Sequence, residues 1–126
     1  MALVLDTGAL IAIDRDDRTV MAFVRDAQLK GMEVRTSSAA VAQAWRNGSR
    51  QGRLARMLQG IAEVSLDRSA ARRIGGLLGA CGSADVVDAS IVDIASSGDE
   101  ILTSDPHDLQ RLAEAARIPI AITAIH

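Results

Sequence analysis

Five aspartates have the spacing in this chain that could do chemistry. Asp6 follows the apolar run Ala2-Leu3-Val4-Leu5 and precedes Thr7-Gly8, where a strand gives way to a helix. Asp85 and Asp88 lie three residues apart and so share one face of a helix. Asp105 sits in Thr103-Ser104-Asp105-Pro106, and Asp108 comes three residues later. Each has an ordinary structural use. Asp before a helix accepts backbone N–H bonds, its charge near a helix start gains about 0.3–1 kcal/mol from the dipole, and Pro106 suits the first position after an Asp105 cap. Asp88 has a less ordinary context, because Ala89, Ile91 and Val92 follow it. A carboxylate buried there without a cation is costly or takes up a proton. Gathered at one place, such groups repel unless a cation neutralises them, and an all-oxygen donor set selects hard ions such as Mg²⁺ or Mn²⁺. From spacing alone, an ion shared by carboxylates of these three segments and plain capping by each both stay open.

The elements that must position these residues alternate between strand and helix. Ala2–Leu5, Glu33–Thr36, Glu100–Thr103 and Ile118–Ile125 read as short apolar strands, and Ala62–Leu66 as a strand or an extended connector. Helices are expected over Leu10–Ile13 and Val20–Leu29, with Gly31 as a stop, and from a Ser37 or Ser38 cap through Trp45. Others should run from Ser49 to Leu58, from an Asp67 cap to Leu78, from Ser83 through Ile94, and onward from Pro106. Gly79 and Gly82 should break the chain. This alternation predicts an α/β three-layer sandwich, a mainly parallel central sheet with helices on both faces. In such folds ligands bind beyond the carboxyl ends of the strands. Asp6 and Asp105 both come within two residues of a predicted strand end.

At 126 residues, with no repeat and no linker, residues 1–126 should form one domain. Apolar residues make up 48%, yet Tyr is absent and Phe and Trp occur once each, so the core must be aliphatic. Trp45 is expected to pack inside, as are Met21, Met32 and Met57. The lone Cys81 excludes an internal disulfide and a Cys-based zinc site, which suggests a reducing compartment. Met1–Asp6 has no basic n-region, and no stretch approaches the roughly 18 apolar residues of a membrane span. A cytoplasmic protein is the expectation. The net charge of −2 is unevenly spread: residues 46–73 hold seven Arg against two acids, giving +5, and the remainder carries −7. A basic segment beside an acidic cluster suits a metal enzyme acting on a polyanion.

Three segments resemble motifs of the PIN-domain ribonucleases. Val4-Leu5-Asp6-Thr7-Gly8-Ala9-Leu10-Ile11-Ala12 is similar to their opening, Asp85-Val86-Val87-Asp88-Ala89-Ser90-Ile91-Val92 to their third acidic motif, and Leu102-Thr103-Ser104-Asp105-Pro106-His107-Asp108-Leu109 to their fourth. Order, spacing and length also resemble the VapC-type toxins of type II toxin–antitoxin pairs. The resemblance implies a divalent ion held by Asp6, Asp88 and Asp105, with Asp85 and Asp108 as further oxygens that could join them. It also implies cleavage of RNA in the cytoplasm, homodimerisation and inhibition by a small antitoxin protein. One position departs. The family's second acidic motif presents Glu on the helix after the second strand, and Gln43 stands there in Ser37-Ser38-Ala39-Ala40-Val41-Ala42-Gln43. An amide can ligate through its oxygen but brings no charge and is a poor general base.

The expected reaction is metal-assisted hydrolysis of a phosphodiester, with the ion activating water and stabilising an in-line displacement. His107 and His126 are the only histidines, and His107 should lie exposed, which leaves no evident pair for metal-free acid–base chemistry. Arg46 and Arg50, with Arg53, fall at i, i+4, i+7 and could hold phosphates near Gln43 if one helix carries them. Three other readings compete. Gln43 suits a catalytically weak relative that binds RNA or an antitoxin. Leu5-Asp6-Thr7-Gly8 suits an aspartyl phosphotransferase, although Gly8 stands where such sites carry a second Asp. A purely structural module would use every one of these aspartates as a cap.

Overall fold

The computed structural model describes residues 1–125, so His126 lies outside the described residues. Four consecutive apolar residues make Ala2–Leu5 (β1) a strand buried on both faces, the pattern of a central parallel strand. Asp6 ends it and caps α1 (Thr7–Asp14), which starts three residues before the expected Leu10 because Asp6 and not a later residue supplies the cap. Asp17 caps α2 (Arg18–Leu29), whose Val20, Val24 and Ala27 face inward at helical spacing. Then come β2 (Glu33–Ser37), α3 (Ser38–Ala44) and, after a break, α4 (Gly52–Leu58). The remainder is β3 (Ala62–Val64), α5 (Arg68–Cys81), α6 (Val86–Ile94), β4 (Glu100–Thr103), α7 (Pro106–Ala116) and β5 (Ala121–Ala124).

All four strand pairings are parallel, in the order β3-β2-β1-β4-β5. The α1, α2 and α4 helices pack together on one side, while α5, α6 and α7 pack together on the other, giving the expected three layers. Connections leave β1 toward β2 on one side and β4 toward β5 on the other, so the order reverses between β1 and β4. In an open parallel sheet a crevice forms at such a switch, beyond the carboxyl ends of the two strands. Leu3, Leu5, Leu10, Ile91, Ile101 and Leu102 lie at the centre of the aliphatic core, each 1% exposed or less.

Several expected boundaries move for identifiable reasons. The α3 helix stops at Ala44, a short 3-10 turn follows at Gly48–Arg50, and α4 begins at Gly52, not at Ser49. Buried Gln51 holds this break: its oxygen accepts from the N–H groups of Arg46 and Asn47 at 2.8 and 2.9 Å, and its amide donates to the Ala44 carbonyl. The α5 helix runs through Gly79 and stops only at Gly82, which adopts the left-handed φ of 71° that a C-terminal cap requires. Asp85, not Ser83, caps α6. Trp45 is not a core residue; it is 38% exposed and borders an apolar groove of about 570 Å³ with Val41, Ala42 and Leu58. Met32, Met57 and Cys81 do pack against the core, whereas Met21 borders a surface cavity. No described helix is long and apolar enough to cross a membrane.

Candidate active site

The strand ends around the switch between β1 and β4 are tied by side-chain and backbone hydrogen bonds. Thr36 donates its hydroxyl to the Leu5 carbonyl at 2.8 Å, and Asp6 N–H bonds the Leu102 carbonyl. Ser37 caps α3 and shares a 2.7 Å hydrogen bond with Ser90, which ties α3 to α6. Asp6 is 3% exposed. One of its oxygens accepts from Ala9 N–H at 2.9 Å, and the other accepts from the Thr103 hydroxyl at 2.5 Å and from Ser104 N–H at 3.3 Å. The same Thr103 oxygen accepts from Asp105 N–H at 2.8 Å, so one hydroxyl fixes Asp6 against the turn that carries Asp105. The start of α1 also abuts this turn closely: a Cβ on Gly8 would meet the Ser104 Oγ at 2.0 Å.

Asp88, Asp105 and Asp108 each offer an oxygen within 4.8 Å of the other two. The α6 helix delivers Asp88 from its first turn, where Asp85 accepts the Asp88 N–H at 2.9 Å. The α7 helix delivers Asp105 and Asp108 from its beginning, on one face at a spacing of three. Asp6 and Asp85 stand beside the trio and add their negative charge to Asp88. Burial pushes the Asp88 carboxyl up to about 7, and the charges of Asp85, Asp105, Asp6 and Asp108 push in the same direction. Burial raises the Asp105 carboxyl too, helped by Asp108 and Asp6. Burial also raises Asp6, against the donors Thr103, Ala9, Ser104 and Gly8.

Capping accounts for Asp6 and Asp85 but not for the other acids. Asp105 occupies the cap position of α7 yet makes no side-chain cap hydrogen bond. Among the described residues, the Asp88 Oδ2 is buried without any hydrogen-bond partner. Asp88 thus brings a buried, partnerless carboxylate oxygen to a trio of carboxylates, a set of hard oxygen donors that suits Mg²⁺ or Mn²⁺. The residues present therefore fit the implied ion. Two features escaped the sequence reading: the Thr103 hydroxyl that bridges two elements, and the way Asp108 joins Asp88 and Asp105 while Asp6 stands to one side.

Gln43 is exposed near the end of α3 and lines a separate cavity of about 370 Å³ with Ile11, Asp14, Arg15, Arg46 and Arg50. No single helix carries Arg46, Arg50 and Arg53, because Gln51 holds the chain broken there. Arg53 turns away to the Asp14 carbonyl and pairs with Asp16 at 3.5 Å. His107 is exposed.

No protein-family model and no curated protein matches the chain. Among solved structures, the crystal structure of VapBC2 from Rickettsia felis bound to a DNA fragment from their promoter contains a chain that matches over 100% of both lengths. The TM-score is 0.65 and the sequence identity 15%. That likeness shows the fold, the PIN-like three-layer sandwich that the motifs resemble.

Proposed function

We propose that the chain is a divalent-metal-dependent endoribonuclease, the toxin of a toxin–antitoxin pair. The observation that carries this reading is the orphaned Asp88 oxygen within a trio of carboxylates at the switch of a PIN-like sheet. Asp88, Asp105 and Asp108 would hold the ion, with Asp6 beside them adding negative charge. Such an ion supplies charge that polarises the phosphodiester and lowers the pKa of water. The protein's part is to fix these carboxylates before substrate arrives: Thr103 locks Asp6 to the Asp105 turn, and Asp85 locks the first turn of α6. Rigid placement of this kind lowers the barrier by removing reorganisation at the moment of reaction. No side-chain nucleophile is required.

The VapBC2 likeness supports a small antitoxin as partner, and the family resemblance supports a homodimer and a cytoplasmic setting. The test is cleavage of labelled RNA in Mg²⁺ or Mn²⁺ by the wild type and by Asp88→Asn and Asp105→Asn. The wild type should cut and both variants should not, and the products should lack a 2′,3′-cyclic phosphate. A cyclic end would defeat hydrolysis by water.

Gln43 favours a second reading, a catalytically weak protein that binds RNA or an antitoxin. Gln43→Glu separates the two. A large rise in cleavage supports the weak protein, whereas unchanged or lower cleavage supports an enzyme that works with Gln.

A further inference from the structure

We infer that the cavity lined by Arg15, Arg46 and Arg50 is a phosphate subsite, which holds the RNA strand by a second phosphate away from the cleaved bond. This rests on the ribonuclease reading for its substrate, but its position comes from α1. The helix starts beside Asp6 at the aspartate cluster, and its far end supplies Ile11, Asp14 and Arg15 to the cavity. At about 1.5 Å per residue, Ile11 to Arg15 lie roughly 8–14 Å from Asp6 along the helix.

The cavity is built to attract anions. Three arginines line it against one acidic residue, Asp14. Asp14 is already engaged, with its carboxylate receiving the Gln51 amide at 3.4 Å and its carbonyl receiving Arg53. Among the described residues, Arg15, Arg46 and Arg50 have no carboxylate partner within 4 Å. Arg46 is also preset, because its guanidinium donates to the Ala42 and Trp45 carbonyls at 3.2 and 2.7 Å. Those bonds both use Nη1 and leave Nε and Nη2 to donate elsewhere. Guanidinium groups recognise phosphate through paired N–H donors, which a simple ammonium cannot match. Single-stranded RNA is the polyanion whose repeat places one phosphate at the aspartates and another here.

The experiment measures binding of a fluorescein-labelled eight-nucleotide oligouridylate by anisotropy. EDTA is present so that nothing is cut, and salt is varied. Arg15→Ala/Arg50→Ala should weaken the RNA roughly tenfold and reduce the salt slope by about 0.7, the loss of one phosphate contact on a single strand. Arg68→Ala/Arg72→Ala, which removes the same charge from the exposed face of α5, should leave affinity and slope near the wild type. Arg15→Lys/Arg50→Lys should keep the slope but recover only part of the affinity. Equal affinity and slope for the Arg15/Arg50 alanine variant overturn the subsite, as does an equal loss for the two alanine variants. A hexaglutamate peptide that competes as well as the RNA overturns the assignment to phosphate. Cleavage is scored separately in Mn²⁺. If the wild type cuts nothing while the affinity and slope effects hold, the nuclease reading fails and the phosphate subsite stands.

Discussion

Replacing Asp88 with Asn should stabilise the metal-free protein at high pH and do nothing at low pH. Folding takes the Asp88 carboxyl from 3.8 to about 7. Between those values the native state holds a proton that the unfolded chain has released, so stability falls as pH rises through that window. Below 3.8 both states are protonated and the penalty vanishes; above 7 it is fully present. At about 1.4 kcal/mol per pH unit the upper limit is about 4 kcal/mol. Asp88 is only partly buried, so solvent screening reduces this to about 1–2 kcal/mol. For a domain of this size that corresponds to a rise of roughly 3–8 °C in Tm. Asn keeps the shape and removes the charge. Thermal unfolding followed by circular dichroism in EDTA at pH 4 and pH 8 is the assay. The variant should melt higher at pH 8 and level with the wild type at pH 4. Added Mn²⁺ should then raise the wild type at pH 8, by about 2.7 kcal/mol of stability at a hundredfold excess over Kd, and leave the variant unmoved. An Asn variant less stable at pH 8, or shifted equally at both pH values, refutes the claim that Asp88 is a charge without a partner.

Other perturbations test the frame around the site. Gly8→Ala places a methyl against the Ser104 side chain and should cost about 1–3 kcal/mol in urea unfolding; adding Ser104→Gly should recover most of it. Asp99 is buried and accepts from the N–H groups of Ala2 and Ser96 and from Arg35, so Asp99→Ala should cost about 3–5 kcal/mol without altering the metal response of the remaining folded protein. Thr103→Val removes the hydroxyl shared by Asp6 and Asp105 and should cost about 1–3 kcal/mol while weakening Mn²⁺ binding measured by calorimetry. Gly48→Ala drives a methyl to 2.5 Å from the Trp45 ring, and the single Trp should report its displacement as a shift in fluorescence emission.

The fold was legible where local chemistry and burial agree. The apolar run of β1 ends at the residue that caps α1, and Asp67 likewise both ends a connector and starts α5. The strands and their order of appearance follow from such signals. Legibility failed where a distant side chain decides. Nothing local says that Gln51 will fold back to hold the end of α3, so an arginine series at helical spacing looks like one face when it is broken. Gly79 looks like a stop because its intrinsic preference opposes a helix, yet packing of Ala70 and Ile74 carries α5 through it. Asp99 carries no local sign of its role, and only the folded chain shows three elements converging on it.

The contrast between Asp99 and Asp88 also explains why the site could be found at all. Both are acids in apolar surroundings, but Asp99 is only 2% exposed and satisfied by three donors, an arrangement that stabilises the fold. Asp88 has an oxygen with no donor and neighbours that are all acids. A sequence built for stability alone would supply Asp88 with an arginine or a backbone N–H, as it does for Asp99. Arg111 is near enough to Asp108 to do so, yet at 3.9 Å and largely in solvent it pairs weakly and leaves the trio negative. The chain thus retains a local electrostatic conflict at the one edge of the sheet where ligands bind. A cation that resolves it would stabilise the native state in proportion to the repulsion it removes. Two measurements should therefore track each other across Asp88→Asn, Asp105→Asn and Asp108→Asn: the gain in Tm without metal, and the loss of the Tm rise with Mn²⁺. Variants that gain stability without losing the metal response would separate the conflict from the ion and break the link on which the proposed chemistry depends.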